Sequence, residues 1–336
     1  MKAVILSGGE GRRLRPVTGD MPKPLSRLCG RSMLEHIIRL LAKNGFDEVC
    51  LAVKYRYEDI ISEIGDGSAL GVKAQYRIEK EPLGTAGAVK NCADFYGDED
   101  FLVISGDAAC DFDLKSLMDE HKKSGAAAAI ALYRCSEPLR FGLAVTDSEG
   151  WVKSFVEKPE WERVVSDLVN TGIYVLSPRA MEYVPEGKPY DFGKELFPLM
   201  LSKGEKILGK VCEGYWCDVG TPLSYYSCCV DALKGRLKVE LAEEFITKAE
   251  EHMGDECGVA VPCRDRAATM SALSSAVLDL GADYSDGISL DGRGYHMHIF
   301  PSPRRSSVCV DVKSSDAEFA RELTMTAKEL IEALEL

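Results

Sequence analysis

The chain has 336 residues, 46% apolar and 28% charged, with a net charge of −13. That length allows two domains and at least one sizeable core, and the composition is that of an ordinary globular protein. The acidic balance argues against general nucleic-acid binding, which needs a basic footprint, and no apolar run is long enough to span a bilayer.

"KAVILS" (2–7) is short, apolar and stopped by Gly8-Gly9, which predicts a buried strand. A stretch rich in glycine, arginine and proline follows, "SGGEGRRLRPVTGDMPKPL". "MLEHIIRLLAKNG" has apolar residues at helical spacing, with Gly45 as its C-terminal stop. "DEVCLAV" predicts a second strand, "RYEDIISEIG" a helix ending at Gly65, and "VKAQYRI" a third strand. "TAGAVKNCADF" reads as helix and "DFLVISGD" as a fourth strand. This alternation predicts a parallel sheet covered by helices on both faces. Ligands on such sheets sit beyond the carboxyl ends of the strands. The polar motifs after Ser7, around Glu79 and at Asp107 all follow strands.

Beyond Gly125 the texture changes. "AAAAIALYRC", "LAVTD" and "WVKSFVE" predict strands at short spacing, and "NTGIYVLSP" another, stopped by Pro178. "DFGKELFPLMLSKG" reads as a helix ending at Gly204, and "GYWCDVGTPLSYYSCCVDALKG" as a strand, a tight turn and a helix. An antiparallel section is therefore expected to complete one domain, residues 1–235. Residues 236–255 read as a polar helical connector. Residues 256–336 read as a small α+β domain, in which "GVAVPC" is a strand, "ATMSALSSAVLDLG" a helix, and "GYHMHIF" with "SSVCVDV" a hairpin. The last helix should carry Phe319, Leu323, Ala327, Leu330 and Leu334 on one face. The twelve cysteines are scattered, with no CxxC pair and no zinc spacing, and Met1-Lys2 leads into no secretory signal. Reduced cysteines and a cytoplasmic location are expected.

Several stretches carry chemistry. A strand followed by Gly8-Gly9-x-Gly11 lets backbone N–H groups approach phosphate oxygens. It is not a Walker loop, because no Gly-Lys-Ser/Thr follows, and its glycine spacing is not that of a dinucleotide fingerprint. Arg13 and Lys23 can place positive charge where phosphoryl oxygens gain negative charge. A glycine turn with solvated arginines is the plainer reading of this stretch taken alone. Asp107 and Asp218 can share one Mg²⁺, which favours oxygen ligands and keeps water and substrate phosphates as its others. Asp111 and Asp113 read as turn or cap residues. In "EKEPLGTAG", Glu79 precedes a glycine turn that opens a helix, and "EKP" offers Glu157 to hydroxyls and Lys158 to a phosphate. If Glu79 faces a base, its carboxylate can accept two N–H groups from guanine, whereas uracil and thymine present carbonyls there. His296 and His298 alternate along a strand and read as structural.

In order and spacing, "GGEGRRLRPVTGDMPKPL", "EKEPLGTAGA", "SGD", "FVEKP", "VNTGIYVLSP", "DFGKELFPLML" and "GYWCDVGTPLSYY" resemble the sugar-1-phosphate nucleotidylyltransferases over residues 1–235. Within that family the mannose-1-phosphate guanylyltransferases look nearest. The resemblance implies a Rossmann-like mixed α/β sheet. It also implies a Mg²⁺-dependent reaction in which an NTP and a sugar 1-phosphate give an NDP-sugar and pyrophosphate. By position, Arg13 would hold the triphosphate and the leaving pyrophosphate, and Lys23 would bridge the α-phosphate and the sugar phosphate. Asp107 and Asp218 would hold the metal. Leu6, Gly8 and Gly9 would line the nucleotide, with Gly84 under the base. Gly142, Glu157, Lys158 and Asn170 would line the sugar phosphate. A glucose-1-phosphate uridylyl- or thymidylyltransferase, or a non-catalytic relative that binds NDP-sugar, is the alternative. No nucleic-acid or membrane partner is expected, and a homo-oligomer is left open. The tail is similar to a shortened phosphohexomutase end, without that family's phosphoserine loop and "DGD" metal motif, so no mutase activity is expected. Arg304 and Arg305 read as a solvated loop, with a regulatory phosphate as the alternative.

Overall fold

The computed structural model describes residues 1–135, 138–157, 166–242, 258–292, 295–302, 305–314 and 317–335. Contacts divide the chain into two compact units, Met1–Gly9 with Ile37–Trp216 and Glu10–His36 with Cys217–Leu336.

The first unit is built on one mixed sheet. β1 (Lys2–Ser7), β2 (Glu48–Val53), β3 (Lys73–Ile78) and β4 (Phe101–Ser105) are parallel, in the order β3-β2-β1-β4. Ala3, Val4 and Ile5 of β1 are fully buried, as expected of a central parallel strand covered on both faces. Helices α1 (Met33–Lys43), α2 (Tyr57–Ile64) and α3 (Gly84–Lys90) lie between these strands in sequence. α2 stops at Gly65, whose φ of 62° suits a residue without Cβ.

The antiparallel section follows. α4 (Leu114–Ser124) leads to β5 (Ala128–Arg134), β6 (Gly142–Thr146), β7 (Val152–Glu157) and β8 (Leu168–Leu176). β8 runs antiparallel to β4, β5 and β6, and β7 runs antiparallel to β6. A π-helical turn (Phe192–Leu196) runs into α5 (Phe197–Ser202), and β9 (Ile207–Val211) then pairs parallel to β5. Tyr174, Phe192 and Phe197 pack ring against ring beneath this section. α4 and β9 were not foreseen. α4 has few apolar residues, but Asp113 accepts the Ser116 N–H at its start and Gly125 takes a left-handed turn at its end, two signals that mark it.

In the second unit, α6 (Pro222–Leu233) packs against α7 (Arg266–Ala276), and the Tyr226 hydroxyl meets Ser274 Oγ at 3.1 Å. This grouping differs from the sequence-read boundary at residue 235, since α6 precedes that point and α7 follows it. Residues 243–255 of the expected helical connector, 236–255, lie outside the described residues. β10 (Gly258–Pro262), β11 (Ile288–Gly292), β12 (Tyr295–Pro301) and β13 (Ser307–Ser314) form an antiparallel sheet in the order β10-β13-β12-β11. The expected hairpin is β12-β13, whereas β11 is additional. α8 (Ala317–Leu334) packs on β13 and β10, but not by the expected face. Thr324, Ala327 and Ile331 are buried, whereas Phe319, Leu330 and Leu334 are exposed. Apolar residues occur on more than one stripe of this helix, and packing selects the stripe that ends on Ile331.

Candidate active site

Along the first unit's sheet, the chain runs outward from β1 to β3 and then returns to β4 on the other side of β1. Such a reversal leaves a crevice beyond the carboxyl ends of the two flanking strands. Those ends carry Ser7, Gly8 and Gly9 on β1, and Gly106 and Asp107 on β4. The Gly106 N–H donates to the Leu6 carbonyl at 2.8 Å, and a Cβ on Gly106 would lie 2.9 Å from that same oxygen. Glycine is therefore required for the two strand ends to meet, and Asp107 follows directly, half-buried. Ser7 Oγ is buried and has no hydrogen-bond partner among the described residues. Around Gly9 a Cβ would meet nothing within 4 Å, so space is open there.

Glu79 follows β3 and is 9% exposed. Its Oε2 accepts the Leu83 N–H at 3.1 Å, which closes the turn before α3. Its Oε1 lies 2.8 Å from where a Cβ on Gly8 would stand. Two residues assigned to the nucleotide are thus neighbours. Burial holds the Glu79 carboxyl above the ordinary carboxylate range, opposed by the Leu83 N–H and by the charge of Lys54. Gly84 has a φ of 69°, and a Cβ there would meet the Tyr190 carbonyl at 2.7 Å. That carbonyl accepts the Ala86 and Gly87 N–H groups at 2.9 and 3.1 Å, so the turn is held against the 188–190 loop.

A second group in the same unit gathers on Glu157. A Cβ on Gly142 would lie 2.6 Å from Glu157 Oε2, and one on Gly193 would lie 2.7 Å from it. Both glycines make room for one carboxylate. Gly193 was missed as a site residue, although "DFGK" contains it, because its reason lies in a partner distant in sequence. Asp191 caps this turn, accepting the Gly193 and Lys194 N–H groups at 2.9 and 3.0 Å. The Asn170 amide is oriented by donating to the Tyr174 hydroxyl at 2.9 Å and accepting the Gly172 N–H at 3.1 Å. Lys158 lies outside the described residues.

In the second unit the opening stretch resolves into distinct parts. Lys23 is 8% exposed, in a tight turn between Pro22 and Pro24, and Ser26 bonds back to its carbonyl through N–H and hydroxyl at 3.0 and 2.8 Å. Its Nζ lies 3.6 Å from Asp218 Oδ1. A Cβ on Gly11 would overlap the Lys23 side chain. A Cβ on Gly220 would sit 3.2 Å from Asp218 Oδ2 and 3.3 Å from the Arg13 guanidinium. Arg13, Lys23 and Asp218 are thereby brought together. Arg12 instead pairs with Glu10 at the surface, at 2.7 Å.

Asp111 accepts the Tyr215 N–H at 2.7 Å, and Asp113 is the cap of α4. His296 meets Asp291 and His298 meets the Asp286 carbonyl, each at 2.8 Å, which are structural bonds. Arg304 lies outside the described residues, and the Arg305 carbonyl accepts from Arg266 at 2.9 Å. Among the described residues all cysteines are free, and no three acidic, histidine or cysteine side chains converge on a metal position. Mg²⁺ needs only one or two carboxylates besides water and phosphate, and the oxygen donors Asp107 and Asp218 suit it chemically. No helix among the described residues is long and apolar enough to cross a membrane.

A family model described as nucleotidyl transferase matches residues 2–235. A UTP–glucose-1-phosphate uridylyltransferase from Synechocystis sp. is 33% identical over 274 residues, covering 78% of this chain and 70% of that one. A mannose-1-phosphate guanylyltransferase from Mycobacterium tuberculosis is 33% identical over 312 residues, covering 92% of this chain and 82% of that one. Among solved structures, HddC from Yersinia pseudotuberculosis complexed with GMP-PN has a TM-score of 0.59 and 31% identity, covering 68% of this chain and 97% of that one.

Proposed function

Because this chain belongs to the nucleotidyl transferase family, we propose that it transfers the guanylyl group of GTP to mannose 1-phosphate, giving GDP-mannose and pyrophosphate. A phosphate oxygen of the sugar phosphate attacks the α-phosphorus in line, and pyrophosphate leaves on the opposite side. The convergence of Arg13, Lys23 and Asp218 is the observation that supports this reading most. Arg13 would neutralise charge on the triphosphate and its leaving pyrophosphate. Lys23, nearly buried and stiffened by its prolines, would hold the α-phosphate against the incoming sugar phosphate. Asp107 and Asp218 would hold Mg²⁺, which when bound supplies charge neutralisation on phosphate oxygens. Glu157, with room made by Gly142 and Gly193, would accept from sugar hydroxyls, and Asn170 would add its fixed amide. The small domain at the C-terminus is left without a catalytic part.

The guanine choice rests on Glu79 as a carboxylate. One observation favours the uridylyl or thymidylyl reading. Burial raises the Glu79 carboxyl, and a protonated carboxyl offers a donor beside an acceptor, which fits the N3–H and O4 of uracil. A pyrophosphate-release assay with Mg²⁺, five NTPs and the 1-phosphates of mannose, glucose and N-acetylglucosamine tests both. Turnover highest with GTP and mannose 1-phosphate supports the proposal. A preference for UTP or dTTP replaces it with the second reading, and no turnover with any pair removes the catalytic reading.

A further inference from the structure

One step beyond their paired ends, β1, β2 and β3 carry Gly8, Lys54 and Glu79. Ser7 pairs with Val53 and Val53 with Ile78, so these three residues form the next row across the parallel sheet. Residues in such a row share a face. The place where a Cβ on Gly8 would stand is 2.8 Å from Glu79 Oε1 and 3.6 Å from Lys54 Cβ. The Glu79 carboxylate thus reaches across the end of β2 toward Gly8, and the Lys54 side chain starts from the same face. Lys54 is half-buried, and among the described residues no hydrogen bond holds its ammonium. Its charge opposes the effect of burial on Glu79. Lys54 and Glu79 therefore start from one face at the ligand end of the sheet, with the Lys54 charge acting on the carboxylate, over a glycine whose missing Cβ makes room for Glu79.

Guanine presents, in succession along one edge, the O6 acceptor and the N1–H and N2–H donors. We propose that Lys54 and Glu79 read this edge as a pair, the Lys54 ammonium donating to O6 while the Glu79 carboxylate accepts from N1–H and N2–H. Ammonium groups are well suited to O6, and both contacts are charge-assisted. Adenine would set its N6 amino group against the ammonium and its unprotonated N1 against the carboxylate. Uracil and thymine have one N–H between two carbonyls and cannot engage the carboxylate twice. Lys54 is thereby a specificity-determining residue, an assignment that rests on the guanylyl reading above.

The test compares kcat/KM for GTP, ITP, ATP and UTP in the full-length protein and in Lys54→Met. ITP keeps O6 and N1–H and lacks the N2 amino group. Lys54→Met should lower kcat/KM by about ten- to hundredfold for GTP and ITP alike, as loss of a charge-assisted hydrogen bond does. The GTP-to-ITP ratio should hold, the GTP-to-ATP ratio should shrink, and kcat at saturating GTP should change little. Glu79→Gln should instead collapse the GTP-to-ITP ratio. Lys54→Arg keeps the charge and should retain the order GTP over ATP, which controls for a folding defect in Lys54→Met. A change below about twofold for GTP in Lys54→Met, or an equal loss for all four nucleotides, overturns the proposal. Preference of the unmodified protein for UTP overturns the guanylyl reading itself, and that result is visible before any variant is made.

Discussion

In the proposed function, Glu79 would serve a ligand at the expense of the fold. Its carboxyl is held above the ordinary range chiefly by burial. The folded protein therefore binds this proton more tightly than the unfolded chain does. The stability it contributes is complete below the ordinary carboxylate pKa and is lost as pH rises through the raised one. Above that raised pKa the ionised side chain opposes folding, a condition common at functional sites. Glu79→Gln should thus raise the melting temperature near pH 7, with the gain fading toward about pH 4. Melting curves across that range check it, and a gain independent of pH would assign the effect to packing. Gly193 makes the complementary case. Its absent Cβ leaves space for Glu157 Oε2, 2.7 Å away. Gly193→Ala should push that carboxylate aside and raise KM for the sugar 1-phosphate about tenfold, with KM for the nucleotide unchanged, a selective loss of binding. Equal KM values in both proteins would show that Glu157 does not touch the sugar.

At the scale of the element, α6 begins on a reciprocal cap. Thr221 Oγ1 accepts the Ser224 N–H at 3.2 Å, and Ser224 Oγ accepts the Thr221 N–H at 3.0 Å. Pro222 occupies the first helical turn, where no N–H is needed. Thr221→Ala should cost about 1 kcal/mol, read as a lower denaturation midpoint by circular dichroism, and an unchanged midpoint would mean that solvent replaces the cap. Elements with such end signals were legible in the sequence. β1 and β4 showed as apolar runs stopped by glycine, and α6 showed through "GTP" at its start. α4 also had end signals, but its apolar stripe is short, Leu114, Leu117 and Met118, and is continued by His121, which does not read as apolar. The inward face of α8 was not legible, because its periodicity offers several stripes and only the sheet beneath it chooses Ile331. The site divides in the same way. Lys23 between prolines and Asp218 in "CDVGT" were visible as local motifs. Lys54 was not, since a lysine after a strand reads as a surface charge until the register sets it beside Gly8 and Glu79. Gly193 stayed hidden because no local turn explains it, only a carboxylate thirty-six positions earlier, at Glu157.

For the molecule as a whole, the two units can be followed separately. The two tryptophans among the described residues, Trp151 and Trp216, belong to the first unit, so tryptophan fluorescence follows that unit while circular dichroism follows both. The same unit contains a titratable group with no evident ligand role. His121 on α4 is 2% exposed, and its Nδ1 has no partner among the described residues. Nε2 stands 3.6 Å from Asp100, too far for a good hydrogen bond. Burial is the largest influence and lowers the imidazole pKa, Asp100 opposes it, and Arg179 and Lys122 add to the lowering, so the net shift is downward. The unfolded chain therefore takes up this proton first. The stability that comes from keeping His121 neutral is present above about pH 6.5, the unfolded value, and is lost as pH falls below it. Urea midpoints followed by tryptophan fluorescence should decline as pH falls below about 6.5, before most carboxylates titrate. His121→Leu should flatten that decline whatever it does to the midpoint at pH 8, because a packing defect shifts the curve without tilting it. A slope equal to that of the unmodified protein would move the acid sensitivity of the first unit to other groups.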